Sequence, residues 1–458
     1  MDLDLGESKK VTLYDGSIAS IEVLDVEPVT DPVTQAVRQV QVTVLVNGEQ
    51  TTIQSGNYHL PVEAGGLQLD SPVTSHYLEL ASQDSWALEK DVRVRLWPQN
   101  SPLLWPGTFK YPVNQKWLAS QTQYSNEPVQ GSGTRGDGRI YYHSGLDLGG
   151  AENMVEVSSA TDGVVVSARG EVLSGEPEEP ISPRYDVVYV RDARGWYYRY
   201  SHLAVIEPEL QIGQRIRAGD KIGMLGKEGA SGGWSHLHFE IKSIQPSGRW
   251  GTQEGYAFLW QSYVQEYDPV LLPNARPHKV VHAGQPVTLS AANSWAKNDI
   301  TGYEWTLSDG TVKDGLTIEQ VYNEPGTYSE ILKITDVEGN YGFDVTMVKV
   351  YEQGSTGKDG LPRIHAASFP SFNIKPGDLI YFQVRAFDTT EGYDVWNFND
   401  GSKEVTVKSN IDAENHAKVG YSIVSHRYRE AGDYLVKVHR ETPQGTATTH
   451  LHVKVEPN

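Results

Sequence analysis

The sequence contains no cysteine. That absence excludes disulfides, thiolate metal sites and a cysteine nucleophile. There is no apolar run approaching the roughly 20 residues that cross a bilayer as a helix, and no His-Glu-x-x-His helix. Positive charge is scarce: 39 Lys and Arg stand against 59 Asp and Glu, a formal net charge of −20. Such a balance argues against nucleic acid or an anionic lipid surface as the main partner. The first 100 residues are the most lopsided, with six basic and 15 acidic side chains, and read as a solvated acidic surface. The opening run MDLDLGESKK lacks a basic segment followed by an apolar one. The expectation is still a secreted or periplasmic protein whose leader is not part of this sequence, because of the modules further along the chain.

What is present points to strands. The chain has 458 residues, 44 Gly, 24 Pro and 25 Tyr, with many Val/Thr/Tyr runs between turn signals. No long amphipathic helical stretch stands out, and the length implies several domains. The reading is all-β and multidomain, in four segments: 1–100, 101–275, 276–352 and 353–458. Residues 1–100 alternate runs such as QVQVTVLVN and DVRVRLWP with turns and carry no recognisable chemistry, so they read as an accessory β domain. The central segment, with its own strand and turn signals, is expected to fold on its own.

The last two segments share their punctuation. YEWTLSDG and YNEPGTYSEILKITDVEGN in one answer to WNFNDGS and HRYREAGDYLVKVH in the other, which implies two copies of one β-sandwich. Both resemble polycystic kidney disease (PKD) domains, through Trp305, Asp309-Gly310, Tyr322, Gly326, Tyr328 and Asp336 in the first. The second keeps Trp396, Asp400-Gly401, Tyr428, Gly432 and Tyr434 but has Arg440 and no Asp-x-x-Gly at its end. The resemblance implies spacer or adhesion modules.

Two near-identical runs pose the functional question: SHLHFEI (Ser235 to Ile241) and HLHVK (His450 to Lys454). On a strand, residues i and i+2 share a face, so either pair of histidines could be an exposed stripe. Upstream of the first run stands YYHSGLDLGG, with His143 four residues before Asp147. Glycines there argue against a helix and for a strand entering a tight loop that returns the carboxylate to the imidazole. His143, Asp147 and His238 are the available set for a hydrolytic zinc site with an open fourth position. His236, beside His238, is placed as a general base, and His202 in YRYSHL as a donor to an oxyanion. His450 and His452 lie on the last strand of a sandwich without such company and read as surface residues.

In order, His-x-x-x-Asp (143–147), SSATDGVVVSA, Tyr-x-His-Leu (200–203), IGQRIRAGDKIGMLGKEGASGG and SHLHFE resemble the lysostaphin-like, LytM-type zinc endopeptidases, over His143 to Glu240. The resemblance implies zinc on His143, Asp147 and His238, catalytic histidines at His202 and His236, and an antiparallel β-sheet groove. Two departures bear on substrate. GEVLSGEPEEPISPRYD replaces a short turn before the strand leading to His202, either as a solvated loop or as an altered groove wall. Tyrosines crowd the motifs, and Tyr142 and Tyr200 are candidates for the groove, where a ring can stack on sugar. The leading expectation is a zinc metalloendopeptidase acting on cell-wall peptidoglycan or another extracellular polymer. The alternatives are a zinc-dependent polysaccharide lyase on the same groove, and an inactive wall- or polysaccharide-binding scaffold.

Overall fold

The structure is a computed structural model that describes residues 1–129, 139–357, 360–411 and 420–458. Its regular structure is nearly all strand. The N-terminal region stacks a meander of Ser8–Thr12, Ile18–Thr30, Val37–Val46 and Glu49–Gly56 against a second four-stranded sheet made from Asp2–Leu3, Val92–Pro98, Leu67–Thr74 and Val62–Ala64. Alternation explains the packing: Val40, Val42, Val44 and Val46 are all fully buried, two residues apart on one face.

The central region is built on one antiparallel sheet. Its strands run in the order Glu171–Val172, Gly163–Ala168, Val188–Arg191, Tyr197–Ser201, His236–Ile244, Leu146–Gly149 and Thr122–Gln123, with Trp250–Gln253 added beside His236–Ile244. Val188, Val190, Tyr198, Tyr200, Leu237, Phe239 and Ile241 fill the core on one face. Their neighbours one residue along, among them His236, His238 and Glu240, lie on the other. A three-stranded sheet of Glu156–Ser158, Lys221–Met224 and Val205–Ile206 completes the region.

A 12-residue helix, Tyr256–Tyr267, escaped the sequence reading. Its YAFLWQSYVQEY sequence is rich in aromatics of middling helix propensity, and Gly255 gives no side-chain cap. Packing holds it instead: Tyr256, Ala257, Phe258, Leu259 and Tyr263 are buried in the central core. Asp268 ends it in the left-handed conformation, φ 45°, with its N–H donating to the Val264 carbonyl.

Each C-terminal segment is a sandwich around a fully buried tryptophan, Trp305 or Trp396. The tyrosine pairs of the repeat meet in both: Tyr322 and Tyr328 lie 4.6 Å apart, Tyr428 and Tyr434 3.8 Å apart. The two copies are joined, because Gly326–Thr327 pairs in parallel with Thr446–Ala447 and fuses their sheets into one.

Each region has its own buried cluster, but the central one extends past its limits. The central core takes in Tyr58 from the N-terminal side and Ala367 from the last segment, and Tyr267 stacks on Phe372 at 5.1 Å. Arg276, buried, reaches Thr122 Oγ1 (2.5 Å), the Ser120 carbonyl (3.1 Å) and Asp344. The expectation that 101–275 is self-sufficient therefore meets a core that crosses both of its limits.

Candidate active site

Antiparallel register assembles the site. Asp147 is the direct cross-strand partner of His238, and Gly149 of His236. On the other flank Ser201, the residue before His202, pairs with His238. His143 arrives through the Ser144-Gly145 turn. Gly145 has φ +84°, and a Cβ there would sit 2.8 Å from the Phe239 carbonyl oxygen, so both conformation and space demand glycine.

Three ligand-type atoms converge. His143 Nε2 lies 3.1 Å from His238 Nδ1 and 3.1 Å from Asp147 Oδ1, and His238 Nδ1 lies 2.8 Å from the same oxygen. All three side chains are buried. These edges approach the roughly 3.3 Å between donors around a tetrahedral ion with bonds near 2.0 Å. The outer nitrogens, His143 Nδ1 and His238 Nε2, are buried with no hydrogen-bond partner among the described residues. Two imidazoles and one carboxylate form a donor set that suits zinc.

Burial alone would lower the pKa of His143, yet the Asp147 carboxylate outweighs it and the value is raised. Asp147 is held well below the carboxylate range: burial opposes this, and His143 and His236 overcome it.

Two more histidines flank the trio. The His236 Nδ1 is 3.1 Å from the Trp234 carbonyl, and Nε2 is 3.4 Å from Asp147 Oδ2. Its ring lies stacked on the Trp234 ring at 4.0 Å. Burial keeps its pKa well below the ordinary value. His202 stands 4.7 Å from the His236 ring centre. It occupies left-handed backbone, φ 68°, a conformation that costs a non-glycine residue and is held by its surroundings. The holding contacts are the Glu228 carbonyl, 2.6 Å from Nδ1, and Asp186 Oδ2, which accepts the His202 N–H at 3.1 Å.

Sequence reasoning missed Asp186 and Glu240. Glu240 shares the face of His236 and His238, is 2 % exposed, and sits 4.0 Å from His238 Nε2 with Lys242 and Arg199 as counter-charges. Burial works against its ionisation, but Lys242, His238 and Arg199 hold its pKa well below the usual range. The period-2 pattern His-x-His-x-Glu was the available signal.

Tyr142 and Tyr200, expected in the groove, are core residues. Tyr142 packs with Tyr77 in the N-terminal core, and its hydroxyl accepts the Val37 N–H at 2.9 Å. Tyr200 is fully buried with its hydroxyl accepting the Ala160 N–H at 2.8 Å. Strand alternation, which places Tyr200 on the side opposite His238, is the reason. The tyrosine that does face solvent near the site is Tyr185, 61 % exposed, donating to Glu228 Oε2 at 3.0 Å.

The long segment before Asp186 packs against the site's face of the sheet. Ile181 joins Val187, Tyr189 and Tyr197 in a small cluster. Glu176 accepts from Tyr197 (2.7 Å) and pairs with Arg191. The segment ends at Arg184, Tyr185 and Asp186, where Asp186 holds the His202 N–H. His450 and His452 are half-buried rather than free on the surface: His450 Nδ1 meets Ser329 Oγ at 2.9 Å, and His452 Nε2 meets Asp433 Oδ1 at 2.6 Å, where the two sandwiches join. Burial lowers both to about 4.

Residues 141–249 match the model of peptidase family M23, and residues 268–350 and 368–455 each match a PKD domain. The chain thus carries an M23 peptidase domain followed by two PKD domains. Among solved structures it is similar to a putative glycyl-glycine endopeptidase lytM from Ruminococcus gnavus, at 22% identity over 35% of this chain and 62% of that one, TM-score 0.23. It is also similar to the catalytic domain of the prophage-encoded M23 protein EnpA from Enterococcus faecalis, at 20% identity over 29% of this chain and 85% of that one, TM-score 0.20. Csd3 from Helicobacter pylori matches at 15% identity over 53% of this chain and 81% of that one, TM-score 0.21.

Proposed function

We propose that this protein is a secreted or periplasmic zinc endopeptidase that hydrolyses peptide bonds in peptidoglycan. The observation that carries the reading is the convergence of His143 Nε2, Asp147 Oδ1 and His238 Nδ1 within 3.1 Å of one another, inside the segment that matches peptidase family M23. Those three residues would hold the zinc, which when bound supplies a Lewis acid that polarises a carbonyl and makes water more acidic.

The chain's own groups supply the rest. His236, with Nδ1 turned to the Trp234 carbonyl and its pKa depressed by burial, offers a neutral Nε2 that takes the proton from the attacking water. With Nδ1–H given to the Glu228 carbonyl, His202 donates from Nε2 to the substrate's carbonyl oxygen only as an imidazolium, a form that burial opposes and the neighbouring Asp186 carboxylate favours. Asp186 and the Glu228 carbonyl fix its pose. Glu240, 4.0 Å from His238 Nε2, sets a negative charge behind that ring.

A lyase would need a tyrosine acid or base in the groove; Tyr142 and Tyr200 are buried and do not supply one, which leaves the exposed Tyr185 as the candidate for that reading. The deciding experiment is digestion of purified peptidoglycan with the zinc-loaded protein. Release of new amino groups, with peptide fragments by mass spectrometry, supports the reading. Unsaturated sugar products, or no products, overturn it.

A further inference from the structure

The last segment, which holds the second PKD domain, reaches the turn that leads into the strand of His236 and His238. Beside the strand that carries His236 and His238 runs the turn Gly232–Ser235, and three residues of the last segment grip it. The buried Arg385 donates through Nη1 to the Gly233 carbonyl at 2.6 Å. The Tyr421 hydroxyl accepts the Ser235 N–H at 2.8 Å and lies 2.6 Å from His365 Nδ1. The His365 ring, 2 % exposed, meets the Trp234 ring edge-on at 5.3 Å. Trp234 in turn stacks on His236 at 4.0 Å.

The hydrogen bonds run in one direction. Ser120 Oγ lies 2.5 Å from the Ala366 carbonyl and therefore donates to it, which makes that hydroxyl an acceptor for His365 Nε2 at 3.0 Å. His365 Nδ1 then accepts from the Tyr421 hydroxyl, whose oxygen is left to accept from Ser235. This needs a neutral imidazole, and burial holds His365 at about 3. Ser120, His365, Tyr421 and the Ser235 N–H thus form one chain of donors and acceptors in largely buried surroundings, where a polar network helps to specify one geometry.

Other contacts make the same seam continuous. Gln121 Nε2 donates to the Ile364 carbonyl at 2.6 Å, and the Glu152 N–H donates to Gln383 Oε1 at 2.7 Å. Ser120 and Gln121 lead directly into Thr122–Gln123, the strand paired with the one that carries Asp147. A tethered spacer would not need contacts of this kind.

We propose that this last segment is a working part of the active site, in which His365, Arg385 and Tyr421 are positioning residues that lock the Gly232–Ser235 turn and, through the Trp234 ring, the orientation of His236. The proposal rests on the reading of His236 as the base, and it makes catalysis depend on a domain that lies more than 120 residues further along the chain.

The test uses the full-length protein with Tyr421→Phe, which deletes one hydroxyl, and with Trp234→Ala and Trp234→Phe. Amide hydrogen exchange over 231–238 is measured, together with zinc content and with kcat and KM on soluble peptidoglycan fragments. Tyr421→Phe should speed exchange at Ser235 and lower kcat about tenfold, leaving KM and zinc content near wild type, since misplacing a catalytic group costs about that much or more. Trp234→Ala should lower kcat further, and Trp234→Phe should restore most of it by restoring a stacking ring. Unchanged exchange and kcat in Tyr421→Phe would overturn the proposal, as would loss of zinc, which would place the effect on the ligands instead. If the wild-type protein cuts no peptide, the peptidase reading fails. The exchange data then decide by themselves whether the last domain holds this turn.

Discussion

Asp147 lies directly across the sheet from His238, with Oδ1 2.8 Å from Nδ1, so the pairing of two strands and the pairing of two ligands are one event. The proposed metal site is therefore tied to the register of this sheet. His143→Ala, Asp147→Ala and His238→Ala should each abolish stoichiometric zinc by elemental analysis. The double variant His450→Ala, His452→Ala should keep it. Zinc lost in the double variant would reverse the assignment of the two His-Leu-His runs.

His236→Ala should keep its zinc while kcat falls by about two to four orders of magnitude, the range for a lost general base. A variant that came out metal-free would make His236 a ligand.

Glu240→Gln keeps the size of the side chain but removes the charge facing His238. Zinc affinity, measured by competition with a chelator, should fall about ten- to a hundredfold, as for other carboxylates behind a metal-bound histidine. An unchanged affinity would reduce Glu240 to a counter-ion for Lys242 and Arg199.

Asp186 carries a pH prediction. Burial works to raise its pKa, but His202 and Arg184 hold it below the ordinary carboxylate value. A depressed carboxylate adds stability above its unfolded pKa, and that stability is lost as pH falls through the folded value. Asp186→Asn, compared with wild type by urea denaturation in chelator, should be less stable at pH 7. The gap should narrow as the pH drops below about 4, the unfolded value. A gap independent of pH would mean that the carboxylate's charge plays no part.

The site was legible because its elements are short-range or periodic. Two imidazoles at i and i+2 define a strand face, and a glycine after His143 signals a turn that only glycine can make. The repeat of Trp, Asp-Gly and Tyr announced both sandwiches for a similar reason, since buried tryptophans and turn residues leave marks in sequence. Sidedness was harder to read. Tyr200 and Arg199 are adjacent, yet one faces the core and the other Glu240, and only the register shows which. Long-range company left no trace at all: His365, Arg385 and Tyr421 lie far from Trp234 in sequence, and nothing local distinguishes them from other sandwich residues. The helix Tyr256–Tyr267 was lost because packing, rather than propensity, makes it.

The parallel pairing of Gly326–Thr327 with Thr446–Ala447 has a mechanical side. Two modules linked only by a flexible joint would extend one after the other under tension, with the connecting chain taking up slack. Here the seam places backbone hydrogen bonds between modules side by side, so a pull on the last strand is shared across both before either can rotate. The seam therefore couples the two modules, and the second of them also holds the Gly232–Ser235 turn.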